Sequence, residues 1–427
     1  MPEQKIVVIG SGTAGLAAAN TARKADAKAE VTVLSAEKHP PYCKPSLACV
    51  VRGTVSVPEE IAISPSRTLG FKNIRLLANR EAFAINTKEK TLKTRDTRTN
   101  RERQLDYDAL VLAVGGHDLV PSIEGANLAN VYTLQTFDDA LRIYETAGSE
   151  KGAMVVGAGP IALSIAESLM KRRIETTMIV RSRVLRTLIE PDLSAKMLER
   201  IEAAGITCLL NTEIEAIGGS RNVEYVTVSG KKIATSVIVF GTGIRPSTEL
   251  AEQTGIEVGK FGIQVDDHMR TSVPDIYSAG DCTETIDFVA KKRTYMPIGS
   301  IAAQEGTIAG ANAAGTEMRT DGFLRIQADN LFGTEITSIG HNSETARALG
   351  IEANVSELPS CVRAKSHYCL AGKYPATVKI ITDQKDIVIG SQALGRRIAT
   401  QERFMLFRAI GEHMEKEDLV RFLQPHK

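Results

Sequence analysis

The sequence predicts an α/β protein, with two parallel-sheet units in the first 320 residues and an α+β module after them. Three observations carry this. One short pattern occurs twice: Ile6, Val7, Val8 and Ile9 lead into Gly10, Ser11, Gly12, Thr13, Ala14 and Gly15, and Met154, Val155 and Val156 lead into Gly157, Ala158, Gly159, Pro160, Ile161 and Ala162. Each copy is later followed by a second apolar strand that runs into glycines, through Leu112 to Ala113, Val114, Gly115 and Gly116, and through Phe240 to Gly241, Thr242 and Gly243. After about residue 320 no such glycine loop recurs. An apolar run, then glycines, then small residues is the strand–turn–helix of a phosphate-binding loop. The first glycine permits the tight turn, the second lets a pyrophosphate approach the backbone, and the third small residue lets helix and strand pack closely. The helix N-terminus supplies N–H groups and a positive dipole end. Two copies predict two Rossmann-like dinucleotide-binding domains, and so two dinucleotides with electron transfer between them.

In chain order, the first strand and helix run to about Arg23, and a second strand spans 30–34. A Pro-rich loop, 39–45, leads into a helix near 46–51. Alternating segments around 74–77, 82–86 and 91–94 predict a β-meander, with the charged stretch 97–103 as its solvated tip. The second unit repeats the plan: strand and helix over 153–172, a strand at 176–180, a helix near 193–204, a strand at 206–210, and further strands leading to Gly243. The segment Ile276-Tyr277-Ser278-Ala279-Gly280-Asp281-Cys282 and a small-residue helix from Gly299 to Ala314 follow. Beyond residue 320, strands near 336–339, 378–382 and 387–389 precede helices around 401–413 and 416–423.

Composition bounds the function. The chain has 427 residues, 43% of them hydrophobic, and a net charge of +1, so nothing in its charge points to nucleic acid. No apolar run approaches the ~18 residues that span a bilayer, and the first strand begins at once, at Lys5, so no signal peptide is expected and the expected location is cytoplasmic. Six cysteines, at 43, 49, 208, 282, 361 and 369, form no CxxC pair, and no metal site is expected.

These motifs, with Ile244-Arg245-Pro246 and the segment from Thr271 to Asp281, resemble the two-dinucleotide-binding flavoproteins of the pyridine nucleotide-disulfide oxidoreductase superfamily, across essentially the whole chain. The resemblance implies an FAD-binding domain made of residues 1–115 and 245–320, an NAD(P)-binding domain at 116–244, and a C-terminal dimerisation domain at 321–427. It implies that Gly10, Gly12, Thr13, Ala14 and Gly15 hold the FAD pyrophosphate, Glu37 the adenosine ribose, and Asp281, after Gly280, the ribityl chain. Ala113, Gly115, Ile298 and Ala302 complete the expected FAD contacts.

The segment Tyr42-Cys43-Lys44-Pro45-Ser46-Leu47 is similar to the Tyr-x-Lys/Arg-Pro-x-Leu stretch of rubredoxin and ferredoxin reductases, which places Lys44 and Pro45 at the flavin, with the lysine stabilising negative charge on it. The single catalytic cysteine of peroxidases, oxidases and coenzyme A disulfide reductases in this superfamily aligns with Pro45, so no essential thiol is expected. A working thiol at Cys43 or Cys49 stays open as an alternative, as does a nucleotide-binding interaction protein with little turnover. In the second loop Gly157, Gly159, Pro160 and Ile161, with Gly243, are expected to hold NAD(P)(H). Arg181 and Arg183 stand where an acid would select NAD, which favours NADP(H). Relatives often carry a glutamate facing the nicotinamide where this chain has Ser164, with Glu167 one turn later. The expected activity is electron transfer between NAD(P)(H), FAD and a one-electron protein carrier or iron–sulfur partner, as in rubredoxin reductases or the flavoprotein subunits of 2-oxoacid oxidoreductase complexes such as phenylglyoxylate dehydrogenase. The expected assembly is a homodimer or a subunit of a complex.

Overall fold

A computed structural model describes residues 3–63, 74–148, 152–358, 376–395 and 400–423. Cys361, Cys369 and the last four residues lie outside this set. The chain folds as two compact units, one of Met1–Leu47, Val55–Asp118 and Ile244–Phe323, the other of Ala48–Thr54, Leu119–Gly243 and Leu324–Lys427.

The first unit is built on a five-stranded parallel sheet in the order Ile276–Ser278, Ala109–Leu112, Lys5–Ile9, Glu30–Leu34, Ile74–Leu77. The inner strands are apolar on both faces because both faces are covered. One face packs Ile6, Val8, Val31 and Val111 against Ala18, Ala22, Ile301 and Ala309. The helices Thr13–Ala25 and Gly299–Ala313 approach closely through small residues: a Cβ at Gly306 would lie 2.1 Å from the Ala14 carbonyl oxygen, and one at Gly310 2.1 Å from that of Ala18. An antiparallel meander, Arg80–Asn86, Thr91–Asp96 and Glu102–Asp106, covers the opposite face. Three-stranded meanders were expected, but the segment 74–77, read with this one, joins the parallel sheet, and the third strand is Glu102–Asp106. Residues 97–103 include the start of a strand, whose register pairs Leu92 with Leu105, the one apolar residue in a run of charges.

The second unit repeats the five-stranded parallel sheet in the order Thr207–Leu210, Thr176–Val180, Ala153–Val156, Val237–Phe240, Val131–Thr133. Its helices are Phe137–Thr146, Pro160–Lys171 and Pro191–Ala203, the first opened by a capping box in which Thr136 and Asp139 satisfy each other's backbone N–H. A short meander, Ala216–Gly218, Tyr225–Val228 and Lys231–Ala234, packs beneath.

The same unit continues into a five-stranded antiparallel sheet ordered Ile326–Leu331, Thr334–Gly340, Val388–Gly395, Thr377–Thr382, Asn354–Glu357. Both outer strands, and the helix Ser343–Ala348, went unread in the sequence. Edge strands bury one face at most, and Gln327, Asp329, Asn330, Asn354, Ser356 and Glu357 give no apolar alternation. The C-terminal sheet is bonded to the rest of its unit through buried polar groups. Glu190 accepts from the backbone N–H and hydroxyl of Ser343, the Glu190 N–H donates to Gln392, and Ser338 donates to the Leu188 carbonyl. Among the described residues, no helix is long and apolar enough to cross a membrane.

Candidate functional site

The first glycine loop, in the first unit, forms a cradle whose shape depends on having no side chains. Gly10 sits at φ +111°, and a Cβ there would lie 2.0 Å from the Ala113 carbonyl oxygen. A Cβ at Gly15 would lie 1.9 Å from the Gly10 carbonyl oxygen. Gly12 is the helix N-cap, and nothing stands within 4 Å of where its Cβ would be. The Thr13–Ala25 helix has no side-chain cap and no acid in its first turn. Its N–H groups and positive dipole end therefore meet no acid of the helix's own first turn, a condition that favours binding a phosphate. The opening is floored by the loop after the Ala109–Leu112 strand, where Ala113 donates its N–H to the Ile9 carbonyl and Gly115 turns at φ +74°. A third uncapped helix start follows Ile298, with no acid in its first turn and Ala302 buried on its inner side.

The structure brings Asp281 and Lys44 into electrostatic contact at this cradle. Burial pushes the Asp281 carboxyl above its usual range, and the Lys44 ammonium pulls it back. Tyr295 donates to the Asp281 backbone carbonyl at 3.1 Å, and burial with the Asp281 charge pushes its phenol up. Lys44 and Pro45 lie exposed on a short 3-10 turn, Lys44–Ser46, that follows exposed Cys43. Cys49 is half-buried on the helix Leu47–Arg52. Both are free thiols. Glu37 lies just past the second strand, where its carboxylate accepts the Tyr42 hydroxyl at 2.6 Å, while Ser35 is buried at the strand end. Cys282, next to Asp281, is fully buried, and burial pushes its thiol up, so it packs rather than reacts.

One residue of this region was missed. Glu305 is buried, accepts the Gly280 N–H at 2.7 Å and the Thr285 hydroxyl at 2.9 Å, and is pushed by burial up to about 8. Helical spacing could have found it: Ile301, Ala302, Glu305, Ile308, Ala309 and Asn312 form one buried stripe.

The second cradle, in the second unit, has the same construction. Gly157 sits at φ +123°, with its Cβ position 2.3 Å from the Gly241 carbonyl oxygen. Gly159 is the N-cap with nothing within 4 Å, Pro160 opens the helix, and the first turn again lacks an acid. Ile161 is 55% exposed at the mouth. Buried Ala162 serves as the third small residue, and its Cβ would be 2.9 Å from a Cβ at Gly241. Gly243 turns at φ +107° and accepts the Leu119 N–H.

Of the two arginines after the Thr176–Val180 strand, Arg181 is exposed. Arg183 is committed elsewhere: it pairs with Glu344 at 2.9 Å and donates to the carbonyls of Ile189 and Arg186. Its guanidinium thereby ties the loop to the Ser343–Ala348 helix, a role not foreseen for it. Glu167 is likewise occupied. It pairs with Lys171 at 2.8 Å and Arg52 at 3.7 Å and accepts the Phe332 N–H.

Each cradle thus offers bare glycine backbone and an uncapped helix start with no acid in its first turn, and the residues fit a dinucleotide at each. Comparison with known proteins agrees. Residues 4–306 match the family described as pyridine nucleotide-disulphide oxidoreductase. The chain is 32% identical over 420 residues to an NADH oxidase of Methanocaldococcus jannaschii, covering 97% of this chain and 93% of that protein. It is 30% identical over 281 residues to a rubredoxin-NAD(+) reductase of Pseudomonas putida, covering 65% of this chain and 71% of that one. It superposes on a NAD-dependent persulfide reductase from A. fulgidus with a TM-score of 0.89 at 30% identity, over 97% of this chain and 78% of that one. The chain belongs to the pyridine nucleotide-disulphide oxidoreductase family and is an oxidoreductase.

Proposed function

We propose that this oxidoreductase passes electrons between NAD(P)(H), held at the second cradle, and a one-electron protein carrier or iron–sulfur partner, by way of FAD held at the first. A bound flavin supplies the chemistry: it exchanges two electrons with a nicotinamide and can pass them on singly. The chain's own residues supply position and charge. Gly10, Gly12 and Gly15 bring backbone and helix dipole to the FAD pyrophosphate. Asp281 would accept from the ribityl hydroxyls, and Lys44 favours the ionised carboxylate against the effect of burial while supplying a cation to the site. Gly157 and Gly159 do the same for the nicotinamide dinucleotide, with exposed Arg181 as the partner of a 2′-phosphate, so NADPH is favoured.

The observation that carries the reading is that the loop reaching Asp281 presents Lys44 followed by Pro45, where sulfur-reducing members of the family are expected to present a thiol. The similarity to a rubredoxin-NAD(+) reductase supports it. Exposed Cys43 beside Lys44, with the similarity to an NADH oxidase and a persulfide reductase, favours a second reading: a thiol-dependent oxidase or disulfide reductase. The test is steady-state oxidation of NADPH with a rubredoxin or ferredoxin as acceptor, against coenzyme A disulfide as acceptor. The protein carrier is the expected substrate. Turnover with the disulfide alone would replace this reading by the second.

A further inference from the structure

We propose that Glu305 is a positioning residue of the FAD site, which holds the Gly280–Asp281 turn and binds a proton from solvent as the ribityl chain settles against Asp281. The inference rests on the reading of the first cradle as an FAD site.

Glu305 lies midway along the Gly299–Ala313 helix and is 1% exposed. One carboxyl oxygen accepts the Gly280 N–H at 2.7 Å and the other meets the Thr285 hydroxyl at 2.9 Å. Gly280 itself is confined, at φ +83° with its Cβ position 2.8 Å from the Ala14 Cβ, so the carboxyl of Glu305 fixes a turn that has little room to move. The next residue is Asp281.

Among the described residues no cation pairs with Glu305: its two hydrogen-bond partners are neutral, and the charge acting on it is that of Asp281. The groups facing this pair are few. Lys44, on its 3-10 turn, acts on Asp281, and Tyr295 donates to the Asp281 carbonyl. The Thr13–Ala25 helix meets the turn with Ala14, which does not titrate. Two carboxylates in one poorly solvated place disfavour each other's ionisation. Burial pushes Glu305 up to about 8, Asp281 acts in the same direction, and the two hydrogen bonds oppose it. The geometry serves both states. A neutral Glu305 donates to the Thr285 oxygen while still accepting from Gly280, so the proton comes and goes without disturbing the turn.

The ribityl hydroxyls need Asp281 ionised as acceptor. Bound FAD also excludes the water that screens the two carboxylates, which raises the cost of a second charge. Glu305 therefore binds its proton more tightly with FAD in place, and proton uptake is linked to FAD binding. Below about pH 8 Glu305 is neutral with or without FAD and affinity is flat. Above it, FAD binding must draw a proton from solvent and weakens as pH rises, by at most about tenfold per pH unit for one proton.

The test is the FAD Kd from dilution of the full-length holoprotein, read by flavin fluorescence between about pH 6.5 and 9.5. Wild type should show a constant Kd up to about pH 8 and a rise of several-fold above it. Glu305→Gln, fixed in the neutral state, should abolish the rise. Thr285→Val, which removes a hydrogen bond favouring the anion, should move the onset to higher pH. That second variant keeps the proposal testable should Glu305→Gln fail to fold. A wild-type Kd that does not change with pH, a Glu305→Gln protein with the wild-type rise, or a Thr285→Val protein with the wild-type onset overturns the proposal while the FAD reading stands. A chain that binds no FAD at any pH overturns both.

Discussion

At the scale of single residues, two charges are proposed to decide what the cradles hold and which dinucleotide they prefer. Asp281 is partly buried, has Lys44 as its cationic neighbour, and is the acceptor proposed for the ribityl chain. Asp281→Ala should weaken FAD binding by roughly 1.5–3 kcal/mol, the worth of a charge-assisted hydrogen bond, or about ten- to a hundredfold in Kd. Asp281→Asn should fall between the two, because it keeps an acceptor without the charge. Flavin fluorescence on dilution checks both, and an Asp281→Ala protein with wild-type Kd would remove Asp281 from the site. Arg181 makes the second prediction. Because Arg183 is held by Glu344, specificity should rest on Arg181. Arg181→Glu should lower kcat/KM for NADPH by about tenfold or more and leave NADH within about twofold, whereas Arg183→Ala should lower thermal stability first. A wild-type preference for NADH would make Arg181 an ordinary solvated arginine.

At the scale of elements, the phosphate-binding helices were legible and their surroundings less so. A glycine at a steric minimum leaves a trace in sequence, and Gly10, Gly15 and Gly157 each stand where a Cβ would meet a carbonyl oxygen within 2.3 Å. The third strand of the first meander and both edges of the C-terminal sheet left no such trace, because polar residues interrupt their few apolar ones and tertiary pairing makes them strands. Glu305 was missed because a lone glutamate in a helix is ordinarily a surface residue, and only its spacing with Ile301, Ala302, Ile308 and Ala309 marks it as part of the buried stripe. Arg183 shows the same limit, since the partner that occupies it, Glu344, lies 161 positions further along the chain. The close approach of the Thr13–Ala25 and Gly299–Ala313 helices gives the prediction at this scale. Gly306→Ala and Gly310→Ala each push a methyl group onto backbone at 2.1 Å and should destabilise the first unit by about 1–3 kcal/mol. The loss should appear as a lower Tm and as weaker FAD retention, because Ala14 and Ala302 at the cradle move with these helices. Gly299→Ala, with open space at its Cβ, should cost far less.

At the scale of the whole molecule, the account is of a chain that joins two dinucleotide cradles to a C-terminal sheet and helices proposed as an assembly surface. The helix Thr400–Gly411 buries Leu406, Ala409 and Ile410 but leaves Phe404 58% and Phe407 37% exposed. Two exposed phenylalanines one turn apart are proposed to be covered by a second copy or a partner subunit. Phe404→Asp with Phe407→Asp should lower the sedimenting mass of the full-length chain without loss of FAD; an unchanged mass would assign assembly elsewhere. The central claim is that electrons leave the flavin for a protein carrier without a thiol. The most direct test is the full-length Cys43→Ser, Cys49→Ser double variant, with FAD bound, assayed for NADPH-driven reduction of a rubredoxin or ferredoxin. The account predicts a kcat within about twofold of wild type, since the proposed route uses neither sulfur. Loss of carrier reduction, with the flavin retained and still bleached by NADPH, would contradict it.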